Sequence, residues 1–164
     1  MKVIYSWRYK KIQKPKKSLI RQFIRFAADS AGLKIPPESY LAVYFLEDSQ
    51  MIQMNVDFLG HDYLTDVICF NYLQSNDCIN EDFNQEAAVE IFISPGIALK
   101  RTADKEINND YSTELSLYII HGILHAAGFN DKKNSEKLIM YKKQDEILKT
   151  ASNYFTFQKL FPLN

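Results

Sequence analysis

Apolar positions along the chain change period several times, and each change marks an element. Val3, Ile4, Tyr5, Trp7 and Tyr9 run or alternate as a strand does, and a lysine-rich connector from Lys10 to Lys17 follows. Ser18 offers an N-cap to a helix in which Leu19, Ile20, Phe23, Ile24, Ala27 and Ala28 share one face and Arg21 and Arg25 the other, closed by Gly32 and the Pro36-Pro37 pair. Ser39 to Leu46 is short, aromatic and β-branched, which predicts a buried strand. Asp48 or Ser49 then caps a helix carrying Met51, Ile52, Met54 and Asn55 to about Phe58.

Two further strands are predicted at Thr65 to Tyr72 and Ala88 to Ser94, separated by a polar excursion from Gln74 to Glu86. Pro95 suits the first turn of a helix through Lys100. Glu114 to Ala127 is apolar on nearly every side and is therefore a central helix, with Gly128 at its C′ position. Asn134 or Ser135 caps a last amphipathic helix carrying Leu138, Ile139, Tyr141, Ile147 and Leu148, and the tail from Tyr154 to Asn164 is apolar enough to dock. The order β-α-β-α-β-β-α-α-α predicts an α+β fold. A small mixed β-sheet of about four strands has helices packed around it, and 164 residues form a single domain over 1–164.

Composition adds less than distribution. Twenty Lys and Arg balance twenty Asp and Glu, so overall charge does not announce a nucleic-acid partner. Yet Met1 to Ala28 holds nine bases and no acid, so the chain reads +9 followed by −9. No stretch is long and apolar enough for a bilayer, and no export signal is readable, which places the protein in the cytoplasm with no membrane partner. Cys69 and Cys78 are then expected reduced, outside any C-x-x-C.

Two of the three histidines, His121 and His125, stand four apart in the central helix, which puts both imidazoles on one face a turn apart. Gly128 stops the helix and lets the chain turn Asp131 back toward the rings. Two nitrogen ligands and one oxygen make a mononuclear metal site with a fourth position open to water, and imidazole with carboxylate suits one zinc ion, Zn2+. Two satisfied core histidines and an ordinary C-cap with a turn are the alternative. The spacing H-x-x-x-H-x-x-G-x-x-D is also that of metzincin-type peptidases, which need a Glu directly after the first His; this chain has Gly122 there.

The run H121-G-I-L-H-A-A-G-F-N-D131 resembles the H-G-x-L-H-x-x-G-[YF]-x-[HD] of the YbeY family, metal-dependent endoribonucleases of ribosomal RNA maturation. N55-V-D-F-L-G-H-D-Y-L-T-D-V-I-C-F70 is similar to that family's N-x-x-Y-R-G-x-D-x-x-T-D-V-L-S-F, and V89-E-I-F-I-S94 to its G-[DE]-I-x-I-S. The resemblance spans roughly residues 40 to 148. It implies a zinc at the base of a cleft, held by His121, His125 and Asp131. It also implies single-strand-specific cleavage in rRNA 3′-end maturation and ribosome quality control, with ribosomal RNA or the small ribosomal subunit as partner.

Three departures from the family pattern matter. Asp131 stands where a histidine is usual, Val89 where a glycine is, and Leu59 where an arginine would neutralise a scissile phosphate. His61 in the same loop, or Lys132 and Lys133 beside Asp131, are candidates to meet that charge. Asp66 is expected near the cleft, orienting water or a ligand imidazole or else capping its own turn, and Glu90 has the same ambiguity. His61 and Asp66 are the candidate catalytic residues. A ribosome-assembly factor with a structural zinc, or a small metallopeptidase, are the alternative functions.

Overall fold

The computed structural model describes residues 1–74, 87–106 and 108–163. Cys78 and most of the polar excursion after Gln74 lie outside the described residues. Four strands, β1 (Lys2–Trp7), β2 (Tyr40–Phe45), β3 (Val67–Asn71) and β4 (Ala87–Ile93), form one sheet in the order β1-β2-β4-β3. β1, β2 and β4 are mutually parallel, and β3 runs antiparallel to β4. The sheet is thus mixed and four-stranded, in an α+β fold.

Among the described residues six helices surround it: α1 (Lys17–Ala31), α2 (Asp48–Leu59), α3 (Pro95–Ala103), α4 (Tyr111–Ala126), α5 (Asn134–Ala151) and the short α6 (Phe157–Leu160). Alternation along the strands sends Val3, Tyr5, Leu41, Val43, Phe45, Val89, Ile91 and Ile93 to one face. There they meet α1, α4, α5 and α6 in a single core. On the other face Leu46 and Ile68 pack with Met51 of α2, flanked by Tyr44, Phe70 and Phe92. α4 is buried on most sides, as its composition predicts.

Helix ends follow ordinary chemistry with some shifts. Glu47, one residue earlier than expected, caps α2 through a reciprocal capping box with Gln50. Ser94 caps α3 by accepting from Ile97 N at 3.2 Å, with Pro95 in the first turn. Asp110 accepts from Thr113 N at 2.7 Å and starts α4 three residues before the expected Glu114. α1 begins at Lys17 with no side-chain cap, so Ser18 does not cap it. Gly128 takes φ 93° after α4, where a side chain would be strained.

The packed face of α5 differs from the sequence expectation. Leu138, Ile139 and Tyr141 are exposed, and Met140, Gln144, Ile147 and Ala151 face the core. That set follows the i, i+4, i+7, i+11 stripe of one helix face, and the neighbouring α4 selects it. The tail docks: Phe157, Leu160 and Phe161 are buried, with Phe161 against Trp7 and Phe45.

α4 lies on the sheet through Gly122, where an added Cβ would come within 2.6 Å of Ile91 Cγ2 and 3.1 Å of Val67 Cγ1. Alanine is the better helix former by about 0.8–1 kcal/mol, whereas overpacking a well-filled core costs about 1–3 kcal/mol. At 2.6 Å the clash wins. Gly122→Ala should therefore lower unfolding free energy by roughly 1–2 kcal/mol in urea titration; an unchanged or higher midpoint would show that the helix can lift away at no cost.

Candidate metal centre

Glu114, Tyr118, His121 and His125 fall at helical spacing along one stripe of α4 that borders Gly122, the position that presses on the sheet. The stripe ends where the helix does. Gly128 reverses the chain, Asn130 accepts the backbone N–H groups of Asp131 and Lys132 at 2.9 and 3.2 Å, and Asp131 comes back beside the rings. Asp131 Oδ2 lies 3.8 Å from the Nε2 atoms of both His121 and His125, and those two nitrogens are 3.1 Å apart. All three side chains are half-buried.

The opposite ring nitrogens are occupied. His125 Nδ1 lies 3.3 Å from the Phe129 carbonyl oxygen, which can only accept, so Nδ1 carries the proton and Nε2 of the neutral ring presents a lone pair. His121 Nδ1 lies 2.9 Å from Gln144 Oε1, with the same consequence. Burial pushes the His125 imidazole below its ordinary value of 6.5 and His121 adds to the effect, against the pull of Asp131, the Phe129 carbonyl and Asp66. Two nitrogen lone pairs and a carboxylate oxygen thus converge on one point. The three side chains could hold a metal ion.

Gln144 was not foreseen. It stands between Met140 and Ile147 in the inward stripe of α5 and is 8% exposed, and the sequence alone does not mark that stripe as inward. Glu114 and Arg101 were also missed. Arg101 Nη1 donates to Tyr118 Oη at 3.1 Å and pairs with Asp66 Oδ2 at 3.3 Å and Glu114 Oε1 at 3.8 Å, so a guanidinium stands one turn before the imidazoles.

Asp66 divides its oxygens: Oδ1 accepts from Val67 N at 2.9 Å, a local cap, and Oδ2 takes Arg101. The imidazole Nδ1 positions belong instead to Gln144 and Phe129. His61 is exposed on the loop after α2, stacked on Tyr63, and no contact brings it to the imidazoles. Lys132 and Lys133 are exposed, Lys133 facing Glu136 at 3.8 Å. Leu59 is 52% exposed at the end of α2. Glu90 accepts from the hydroxyls of Tyr44 and Tyr72, at 3.2 and 3.0 Å, on the α2 face of the sheet.

The model of the family described as Endoribonuclease YbeY matches residues 4–152 of this chain. The chain belongs to that family. A Parabacteroides distasonis relative named Endoribonuclease YbeY is 34% identical over 133 residues, which are 81% of this chain and 84% of that one. A Bacteroides thetaiotaomicron relative of the same name is 32% identical over 148 residues, 90% and 98% of the two chains. The solution structure of a Thermotoga maritima protein covers 93% of both chains with a TM-score of 0.54 at 23% identity, which concerns the fold alone. Among the described residues of this YbeY-family chain, no helix is long and apolar enough to cross a membrane.

In metal-free protein, His125 should titrate below 6.5, its ordinary value, in NMR spectra of the imidazole nitrogens. Asp131→Asn should lower the midpoint further, because the carboxylate favours the imidazolium. The folded chain holds this proton less tightly than the unfolded chain. Its contribution to stability is therefore complete above about pH 6.5 and is lost as pH falls through the folded value.

Proposed function

We propose that this chain is an endoribonuclease that hydrolyses phosphodiester bonds of single-stranded ribosomal RNA in the cytoplasm, with one zinc ion held by His121, His125 and Asp131. The carrying observation is the convergence of two imidazole Nε2 atoms and one carboxylate oxygen, with the far ring nitrogens already engaged. Zinc–nitrogen bonds of 2.0–2.1 Å at a tetrahedral angle place ligand nitrogens about 3.3 Å apart, and 3.1 Å is found. Borderline-soft imidazole with a hard carboxylate and no thiolate suits that ion. When bound, the ion supplies Lewis acidity toward a phosphate oxygen and lowers the pKa of its water.

The protein's own part is to hold and orient. Gln144 and the Phe129 carbonyl fix the two tautomers, as outer partners of metal-binding imidazoles do. Asp66 is assigned a positioning part, holding Arg101 against Tyr118, one turn before His121. His61 is the residue on the Leu59 loop assigned to the substrate phosphate. The processing of rRNA 3′ ends and ribosome quality control are the settings in which such cleavage would be used.

Leu59 also supports a second reading, a ribosome-assembly factor that binds RNA and a structural zinc without cutting. The peptidase reading loses ground, because position 122 faces Ile91 and Val67 and a glutamate there would enter the sheet.

His121→Ala should remove bound zinc, measured by elemental analysis, together with cleavage of a ribosomal RNA fragment. Gln144→Ala should weaken zinc binding by about 10–100-fold in competition with a chromogenic chelator. Cleavage at the parent rate by a metal-free His121→Ala/His125→Ala protein would refute the nuclease mechanism. Leu59→Arg should raise kcat/KM; no change would mean that a guanidinium at that place is not limiting.

A further inference from the structure

The strongly basic first segment forms a definite surface. β1 ends at Trp7, and the chain then passes through Arg8, Lys10 and Lys14 along a groove of about 670 Å3 whose other wall is Glu47 and Gln50 at the start of α2. Arg8, Lys10 and Lys14 are exposed, as are Lys11, Lys16 and Lys17 just beyond, and none of the six is ion-paired to a carboxylate among the described residues. The acid in the groove lining, Glu47, accepts the Lys10 backbone N–H through Oε1 at 2.7 Å and closes the capping box of α2.

The strand register relates this groove to the metal centre. Trp7 pairs with Phe45, Phe45 with Ile93, and Ile93 with Val67, so the four form one row across the sheet. Arg8 follows the first of them and Asp66 precedes the last, and the charge of Asp66 reaches His125. Arg8 and Asp66 therefore flank the same row from opposite edges of the sheet, three strand spacings or roughly 14 Å apart. Exposed bases with no carboxylate partner among the described residues match a polyanion.

We propose that the groove beside Arg8, Lys10 and Lys14 binds the phosphate backbone of a single-stranded RNA segment flanking the one held at His121, His125 and Asp131. The inference rests on the nuclease reading for the identity of the polyanion. It assigns the basic segment to substrate binding rather than to the chemical step, because charges so far from the reacting bond act on both ground and transition states alike.

The test is the exposed pair Lys10→Glu/Lys14→Glu, whose side chains carry no bond in the fold. Binding of a fluorescein-labelled 2′-O-methyl RNA of about 20 nucleotides, read by anisotropy over a salt series, should weaken at least roughly tenfold, and the slope of log K against log salt should fall by about 1.4. Cleavage of a ribotrinucleotide, too short to reach the groove, should keep its kcat/KM. Unchanged RNA affinity and slope would overturn the proposal, and so would losses confined to polyglutamate or to phosphatidylglycerol vesicles. If neither protein cuts the trinucleotide while the long RNA loses affinity as expected, the groove stands and the nuclease reading falls.

Discussion

The close approach of α4 to the sheet at Gly122 is the constraint on which the rest depends. With no Cβ between the helix and Ile91, the helix rests directly on β4 and β3. A helix has only one angular freedom once one face is fixed, and the 3.6-residue period then decides where every other side chain goes. Fixing position 122 inward carries the Glu114–Tyr118–His121–His125 stripe to the flank beside Asp66 and α5. A larger residue would move the helix axis, and both imidazoles would leave together. The bond from Asn71 Nδ2 to the Ala126 carbonyl, 2.8 Å long, ties the helix end to the β3 edge and opposes that movement.

A second requirement is electrostatic. Two neutral imidazoles facing each other through lone pairs, with a carboxylate beside them, repel one another and are held in place by other contacts. Gln144 does so from α5 and the Phe129 carbonyl from the turn after α4, so two separate elements must be in place before the rings can be. The burial that lowers the proton affinity of His125 works to the same end, since a protonated ring cannot ligate. Packing, tautomer and proton affinity thus all favour the metal-binding form of the site before any ion arrives.

Much of this was legible in the chain, and the parts that were not share a cause. The His121–His125 spacing, the Gly128 stop and the return of Asp131 are local, set by helix geometry and a positive φ within eleven residues. The four strands were legible because their apolar content and flanking turn residues are local as well. Gln144 was not, because an amide in an otherwise charged helix reads as solvated until another helix chooses the face that packs. The same choice exposed Leu138 and Ile139, at 72% and 62%, which hydrophobicity alone had put inside. The Asp66–Arg101 pair joins residues 35 apart, and no periodicity announces such a meeting.

The ligand set bears on how the site and the basic surface share the work. Relative to the family pattern, the chain has a carboxylate in place of one neutral imidazole and lacks one guanidinium, which adds one negative charge near a substrate phosphate and removes one positive charge. Arg101 does not offset this, because it is already neutralised by Asp66 and by buried Glu114. Attraction for a polyanion must then come from farther away, and the excess of positive charge lies in the first 28 residues, carried largely on exposed side chains. The strand that leads into Arg8 lies three strand spacings, roughly 14 Å, from the strand that follows Asp66, beyond a Debye length of about 8 Å at physiological salt. On the proposed reading the basic side chains act by touching the substrate itself, through phosphates bound in the groove. In such an arrangement affinity depends steeply on salt, whereas the rate on bound substrate follows the imidazoles, the carboxylate and what holds them.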